Sequence, residues 1–211
     1  MCSDDAQALL EKFTQKTDLR SFCIATKTDD IYVNLHYLAE LSEYFNVICT
    51  KEYSEKSDNK LSLSDVYAAD LADFLGYVCP DKFTISRQIT ASNVCTLAYF
   101  SDRFMFPQVR ADVKEWLATD KFFKDDLIPL ATLVEIGIVL YEQGYSIAEM
   151  EPLFKKMGLF EEERVVELMK DTDQVVKEFL LSKIRIFRPY KFNSRPNSYF
   201  HLEDYRRRIF F

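Results

Sequence analysis

The stretch that decides the fold is Leu38-Ala39-Glu40-Leu41-Ser42-Glu43-Tyr44-Phe45. Its apolar residues recur at the three- and four-residue spacing of an amphipathic helix. The same spacing extends to both sides of the stretch, so the sequence predicts helical structure from Tyr37 to Cys49. Because such a helix must bury its apolar face, its neighbours in the chain decide what the core contains.

Short strands are predicted on both sides of this helix. Before it, residues 22–25 and 31–33 are β-prone and flank the polar segment 27–30, which is the pattern of a hairpin. After it, Leu61-Ser62-Leu63 alternates apolar and polar residues as a third short strand does. The first half of the chain is therefore predicted to combine helices with a small sheet.

The second half of the chain is predicted to be helical. Pro107 suits the first turn of a helix, and Ser146 with Glu149 three residues later has the spacing of a capping box. Asp171 or Asp173 is placed to cap a last helix that ends near residue 184. Apolar residues at helical spacing mark the other predicted helices at 6–15, 66–78, 94–104, 107–117 and 125–141.

Composition excludes several classes of function. Among 211 residues the four glycines are scattered singly, whereas a phosphate-binding loop needs two or three clustered between a strand and a helix. Two histidines are too few for a zinc site or a Ser/His/Asp arrangement, and His36 is predicted to be a buried structural residue. We therefore expect no catalytic residues, no metal and no cofactor, but a role in binding or scaffolding.

Hydropathy and cysteine spacing favour a soluble protein of the cytoplasm, the nucleus or both. Hydrophobic residues make up 48% of the chain, yet no apolar run approaches the ~18 to 20 residues of a membrane span. The N-terminus lacks the basic start and apolar stretch of a signal peptide. Five widely spaced cysteines without a C-x-x-C pair indicate reduced thiols. We expect no contact with a membrane.

The net charge of −7 is the sum of an acidic body and a basic C-terminal segment. Residues 183–211 contain eight basic and two acidic residues, a net charge of +6, so the preceding 182 residues carry −13. Residues 189–211 are also rich in aromatic side chains, which favour burial. We therefore predict that this tail docks on protein, within its own chain, on a sister chain or on another partner. The candidate tail contacts are Arg206, Arg207, Arg208, Phe210 and Phe211.

The order of these elements and several motifs resemble the BTB/POZ domain family. Residues 38–45 resemble its L-a-x-x-S-x-Y-F segment, Tyr53-Ser54-Glu55 resembles the φ-x-E that follows, and residues 61–66 resemble the next strand and turn. Later segments with a resemblance lie at 74–80 and 89–104. The resemblance implies an α+β fold, with a short three-stranded sheet flanked by helices.

This resemblance divides the chain into three parts. A BTB/POZ-like domain is predicted at 1–120, an all-α region at 121–188 that could be a short BACK-like extension, and the basic aromatic tail at 189–211. Two positions depart from the family pattern: its frequent acid before the first strand falls on Ser21, and its His-Lys pair falls on Asn34-Leu35. In the family, that acid and that lysine place opposite charges in a pocket at the top surface of the dimer. Both charges are absent together here, so no lone buried charge is left, and no function that needs this charged pocket is expected.

The resemblance also implies partners: a second copy of the chain and, in many members, the cullin-3 scaffold of ubiquitin ligases. For self-association the candidates are Leu9, Leu10 and Phe13, on an N-terminal helix too short to be stable alone. The alternative is that this helix packs on its own domain. For the cullin the candidates are Phe45, Tyr53 and Glu55, an apolar anchor with a hydrogen-bond acceptor. Here the alternative is that Phe45 belongs to the core and Glu55 is a solvated charge.

We therefore expect a non-catalytic homodimeric adaptor of a cullin-3 type ubiquitin ligase, with an unidentified protein partner on the helical region or the tail. The alternative is an oligomerising scaffold subunit of a nuclear or cytoplasmic regulatory complex, for example in gene regulation, that binds no cullin. No nucleic-acid binding is expected. Residues 144–159 resemble a helix-turn-helix, but the acidic run 161–163 that follows would repel phosphates.

Overall fold

The computed structural model of the protein describes residues 3–51, 58–79, 88–119, 122–123 and 127–188. Its strands are β1 (Phe22–Thr26), β2 (Asp30–Val33) and β3 (Lys60–Leu63). The helices of the first half are α1 (Ser3–Thr14), α2 (Leu35–Leu41), α3 (Glu43–Thr50), α4 (Ala68–Val78), α5 (Val94–Arg103) and α6 (Pro107–Ala118). Those of the second half are α7 (Leu130–Glu142), α8 (Ile147–Met157), α9 (Glu162–Leu168) and α10 (Gln174–Phe187).

The three strands form one small sheet in the order β2-β1-β3. The predicted hairpin is confirmed: β1 and β2 pair antiparallel, with Phe22 opposite Val33 and Ala25 opposite Asp30. The predicted third strand is also confirmed and runs parallel to β1. Alternate residues of the strands point to the core, as the period of two requires. These buried residues are Phe22, Ile24, Ile31, Val33, Leu61 and Leu63.

Helices complete the α+β fold, as predicted. Helix α1 packs on α4 and on β2, α2 packs on α3, and α4 packs on α5, which in turn contacts α6. Pro107 occupies the first turn of α6, where its missing amide hydrogen costs nothing. Phe104, predicted at the end of α5, follows the last residue of that helix.

The helical periodicity predicted from Tyr37 to Cys49 belongs to two helices, as the family's order of elements implies, because the chain breaks at Ser42. This residue is extended, with φ −138° and ψ 126°, and it ends α2 while capping α3. Its hydroxyl oxygen accepts a hydrogen bond from the backbone N–H of Phe45, at 3.1 Å. Serine at an N-cap competes with helix continuation in this way, so the apolar periodicity spans two helices.

The second half continues the same core. Helix α7 packs on α5, and α8 packs on both α6 and α7, while α9 and α10 pack on α7. The capping box of Ser146 and Glu149 is confirmed, and Asp173 rather than Asp171 caps the last helix. Helix α7 begins at Leu130 with Pro129 at its N-cap, later than predicted.

The structure bears on three expectations, which concern His36, a membrane span and a metal site. His36 is exposed, so the prediction that it is buried is wrong; its Nδ1 lies 3.3 Å from the Sγ of Cys49. Among the described residues no helix has the length and apolar character to cross a membrane. Within the same residues no three His, Cys, Asp or Glu side chains lie together as metal ligands.

Candidate partner-binding surfaces

A groove of about 540 Å³ lies where the turn between α2 and α3 faces the turn between α5 and α6. Apolar and acidic side chains line it together with Arg110. Its lining residues are Ala39 to Glu43, Asn46, Ser101, Asp102, Met105 to Pro107 and Arg110. This is a shallow surface of the kind that receives a partner's side chains.

Phe106, which lines the groove, belongs to a buried aromatic cluster. The ring of Phe45 lies 5.3 Å from that of Phe104 and 6.1 Å from that of Phe106, between ring centroids. The Ser42 hydroxyl donates a hydrogen bond to the carbonyl oxygen of Phe104, which fixes the α2–α3 turn to the end of α5. Rigid packing of this kind holds the groove in one shape without a partner.

Phe45 therefore belongs to the core. It is 1% exposed, which agrees with the alternative that it is a core residue, while contact with a cullin stays a prediction. Tyr53 and Glu55, the other two cullin candidates, lie outside the described residues, beyond the end of α3. The tail candidates Arg206 to Arg208, Phe210 and Phe211 also lie outside them.

Met105 is the most exposed large apolar residue on the rim of the groove. It is 49% exposed, and its backbone adopts a φ of 54° in the left-handed region. For a residue other than glycine this conformation is strained and persists only where neighbouring contacts impose it. The next amide, of Phe106, donates to the carbonyl oxygen of Ser101 at 2.8 Å, which holds the turn and turns Met105 outward.

Arg110 connects this groove to the second half of the chain. Its guanidinium donates to Asp102 at 3.1 Å and to the carbonyl oxygens of Gln143 and Gly144, each at 3.0 Å. It also lies over the ring of Tyr145, 4.1 Å from the ring centroid. Burial raises the pKa of Tyr145 to about 12, so the phenol stays neutral beneath the cation.

A second link joins α6 to α8. The ammonium of Lys114 pairs with the carboxylate of Glu149, which also accepts a hydrogen bond from the backbone N–H of Ser146 at 2.6 Å. Burial opposes the charge on Glu149, but the hydrogen bonds from Lys114 and Ser146 lower the pKa of this carboxyl below its usual value. The helical region is therefore tied to the first half by two charged contacts as well as by packing.

The self-association candidates lie on α1 and differ in burial. Phe13 is 1% exposed and packs in the chain's own core, whereas Leu9 and Leu10 are half-buried. Leu9 lies against Gly76 of α4, where an added Cβ would approach its Cδ2 to 2.9 Å. Phe13 therefore packs on its own domain, as the alternative expected. Contact of Leu9 and Leu10 with a second copy stays a prediction.

The two positions that depart from the family pattern are used structurally. The Asn34 side chain accepts a hydrogen bond from the Tyr37 amide at 3.1 Å and so caps α2. The carbonyl oxygen of Ser21 accepts one from Asn59 at 2.7 Å, which fixes the segment that leads into β3. The Asn34 side chain therefore stabilises the fold directly, whereas Ser21 contributes a backbone carbonyl that any residue would offer.

A small sheet with helices packed around it, a surface groove and half-buried residues on α1 are features of one class of protein. This class is an interaction module. The chain belongs to the BTB/POZ domain family, whose model matches residues 10–121. Domains of this family mediate self-association and partner binding, and they are generally not catalysts. A BTB domain therefore implies a role in protein–protein interaction.

One curated relative extends the similarity into the second half. Over 179 residues the chain is 24% identical to the BTB and MATH domain-containing protein 36 of Caenorhabditis elegans. The match covers 84% of this chain and 53% of that protein, so the chain spans about half the length of this relative.

Proposed function

We propose that the protein self-associates through its BTB domain and acts as a partner adaptor for a cullin-3 type ubiquitin ligase. The observation that carries this proposal is the preformed groove between the α2–α3 and α5–α6 turns, which lies beside the helix that leads to Tyr53 and Glu55. Burial of Phe45 suggests that it shapes the groove from below. Met105 replaces it as the exposed apolar anchor. Tyr53 and Glu55 stay predicted contacts outside the described residues.

Binding energy in such interfaces concentrates in a few central residues, and Met105 has the properties of one. Its flexible thioether adapts to an apolar pocket, and its strained backbone holds the side chain outward before a partner arrives. Glu40, Glu43 and Asp102 border the groove and favour a partner with basic residues around an apolar side chain.

The test is co-elution of the purified chain with the N-terminal domain of a cullin-3 type scaffold at micromolar concentration. Met105→Glu should weaken binding at least tenfold, since a carboxylate would enter an apolar contact beside three acids. The double variant Tyr53→Ala with Glu55→Lys should weaken it as well. Leu168→Glu is the matched control, because Leu168 is 44% exposed against 49% for Met105 but lies on α9.

Absence of co-elution at these concentrations would refute the adaptor proposal and leave the oligomerising scaffold as the function to pursue. Equal losses from Met105→Glu and Leu168→Glu would refute the placement of the groove. Self-association has a separate test, in which light scattering of the full chain at high concentration should give twice the mass of 24.8 kDa. Leu10→Glu should shift the mass to that of a monomer, and a wild-type monomer at all concentrations would refute the dimer.

A further inference from the structure

A cysteine and a histidine meet at one end of the helix pair α2 and α3. The Sγ of Cys49 lies 3.3 Å from the Nδ1 of His36, which is within hydrogen-bond reach for sulfur. His36 is the second residue of α2 and Cys49 is the next to last of α3, so the two meet because the helices fold back on each other at Ser42. Neither side chain lines the groove.

The sulfur is held in place near the surface. Cys49 is half-buried and packs against the core, which limits the rotation of its side chain. His36 is exposed, so its imidazole can exchange protons with solvent. The pair lies roughly 9 to 10 Å along the helices from the Ser42 turn that borders the groove, at 1.5 Å per residue. It is therefore a separate feature of the surface.

A thiol and an imidazole at this distance combine a nucleophile with a base. In the tautomer that carries its proton on Nε2, the Nδ1 of His36 accepts the hydrogen of the Cys49 thiol. Sulfur reacts as the thiolate, so a neighbouring base that takes the proton makes it a better nucleophile.

Two other cysteines have surroundings that oppose this reactivity. Burial raises the pKa of Cys23, and the carboxylate of Asp30 raises it further. Burial also raises the pKa of Cys95 to about 12, and the carboxylate of Glu135 acts in the same direction. Both thiols therefore stay protonated at neutral pH and serve as internal references for Cys49.

We propose that Cys49 is a modification site for small α,β-unsaturated carbonyl compounds, with His36 as the base. The sulfur forms a bond to the β-carbon, the electron pair of the carbon–carbon double bond moves into an enolate, and the thiol proton passes to Nδ1. The imidazolium then returns this proton to the α-carbon. The product is a thioether, and the step consumes no oxidant or reductant. This site does not depend on cullin binding.

Limited labelling of the full chain with N-ethylmaleimide, a reagent of this class, tests the proposal. Mass spectrometry of the peptides gives a rate for each cysteine. Cys49 should react at least roughly tenfold faster than Cys23 and Cys95. His36→Gln keeps a polar side chain but removes the base, so it should slow Cys49 about tenfold and leave the two reference rates unchanged. Acrolein, an unsaturated aldehyde, should also modify Cys49 before Cys23 and Cys95.

The wild-type chain alone can overturn the proposal, since a Cys49 rate no greater than that of Cys23 would do so without any variant. An unchanged Cys49 rate in His36→Gln would overturn the role of the imidazole and with it the site as proposed. If the variant acted by loosening the fold, all three thiols would react faster, and that result would overturn the proposal as well.

Discussion

Replacement of Ser42 by alanine should destabilise the protein by about 2 to 4 kcal/mol, a large loss for one oxygen atom. Ser42 is 3% exposed, and its hydroxyl makes two hydrogen bonds. It accepts from the Phe45 amide at the start of α3 and donates to the Phe104 carbonyl after α5. One atom thus caps a helix and joins two turns that form the groove.

The expected loss follows from these two bonds. Removing a serine N-cap costs about 1 kcal/mol, because the first amides of the helix lose a partner. The Phe104 carbonyl belongs to a residue that is 1% exposed, and a buried acceptor left without its donor costs about 1 to 3 kcal/mol. The higher helix propensity of alanine offers no compensation, since residue 42 is extended.

Urea unfolding followed by the fluorescence of Trp116, the single tryptophan, would measure this loss. Ser146→Ala is the matched control, because it removes the same atom from the N-cap of α8 at an exposed position and should cost only about 1 kcal/mol. A Ser42→Ala loss no larger than that of Ser146→Ala would refute the reasoning. The Ser42→Ala variant should also bind a groove partner more weakly, since the two turns are no longer joined.

Three further changes test other contacts. Gly76→Ala gains about 1 kcal/mol of helix propensity but meets a methyl of Leu9, so in a Leu9→Ala background it should raise stability by about 1 kcal/mol, as thermal unfolding would show. Hydrogen bonds lower the folded pKa of Glu149, so its stabilisation is complete above the unfolded pKa near 4.3 and is lost as the pH falls through the lower folded value. The difference in melting temperature between wild type and Glu149→Gln should therefore shrink from pH 6 to pH 3. Lys156 is 5% exposed and its Nζ donates to a backbone carbonyl, so Lys156→Met should cost about 1 to 3 kcal/mol in urea unfolding, whereas Lys155→Met should cost under about 0.5.

Local signals in the sequence predict most of the elements. The hairpin, the third strand, the start of α6 at Pro107 and the capping box at Ser146 all depend on residues close together in the chain. Such signals act through the backbone conformation of a few residues, so they need no knowledge of the core. The order of these elements, together with short motifs, was sufficient to indicate the BTB family.

The break at Ser42 shows what periodicity misses. Apolar residues keep a helical spacing from Tyr37 to Cys49, so nothing in the hydrophobic pattern marks an interruption. The break depends on the carbonyl oxygen of Phe104, which lies 62 residues away and accepts the serine hydrogen. A serine inside a helix and a serine at a helix junction look the same until that distant partner is known.

Sequence patterns did not predict the groove either, because its contacts join residues that are distant in the chain. Met105 is neither glycine nor asparagine, the residues that would indicate a left-handed backbone at this position. Its conformation is held by the hydrogen bond from the Phe106 amide to the Ser101 carbonyl oxygen. Arg110 reaches carbonyl oxygens 33 and 34 residues away, which no pattern in a single sequence reports. The sequence motif therefore named Phe45, whose ring is buried, and gave no sign of the exposed Met105.

The contacts of Arg110 connect the groove to the helical region, so partner binding at the groove should affect both. The groove belongs to the part of the chain that the BTB model matches, yet the same arginine holds the turn between α7 and α8. Helix α7 also covers part of α5, so a chain cut at residue 120 would expose core surface. The BTB domain and the helical region therefore share their stability. A partner that orders Arg110 in the groove should stabilise α7 and α8 as well, because any ligand of the folded state stabilises everything that unfolds with its site.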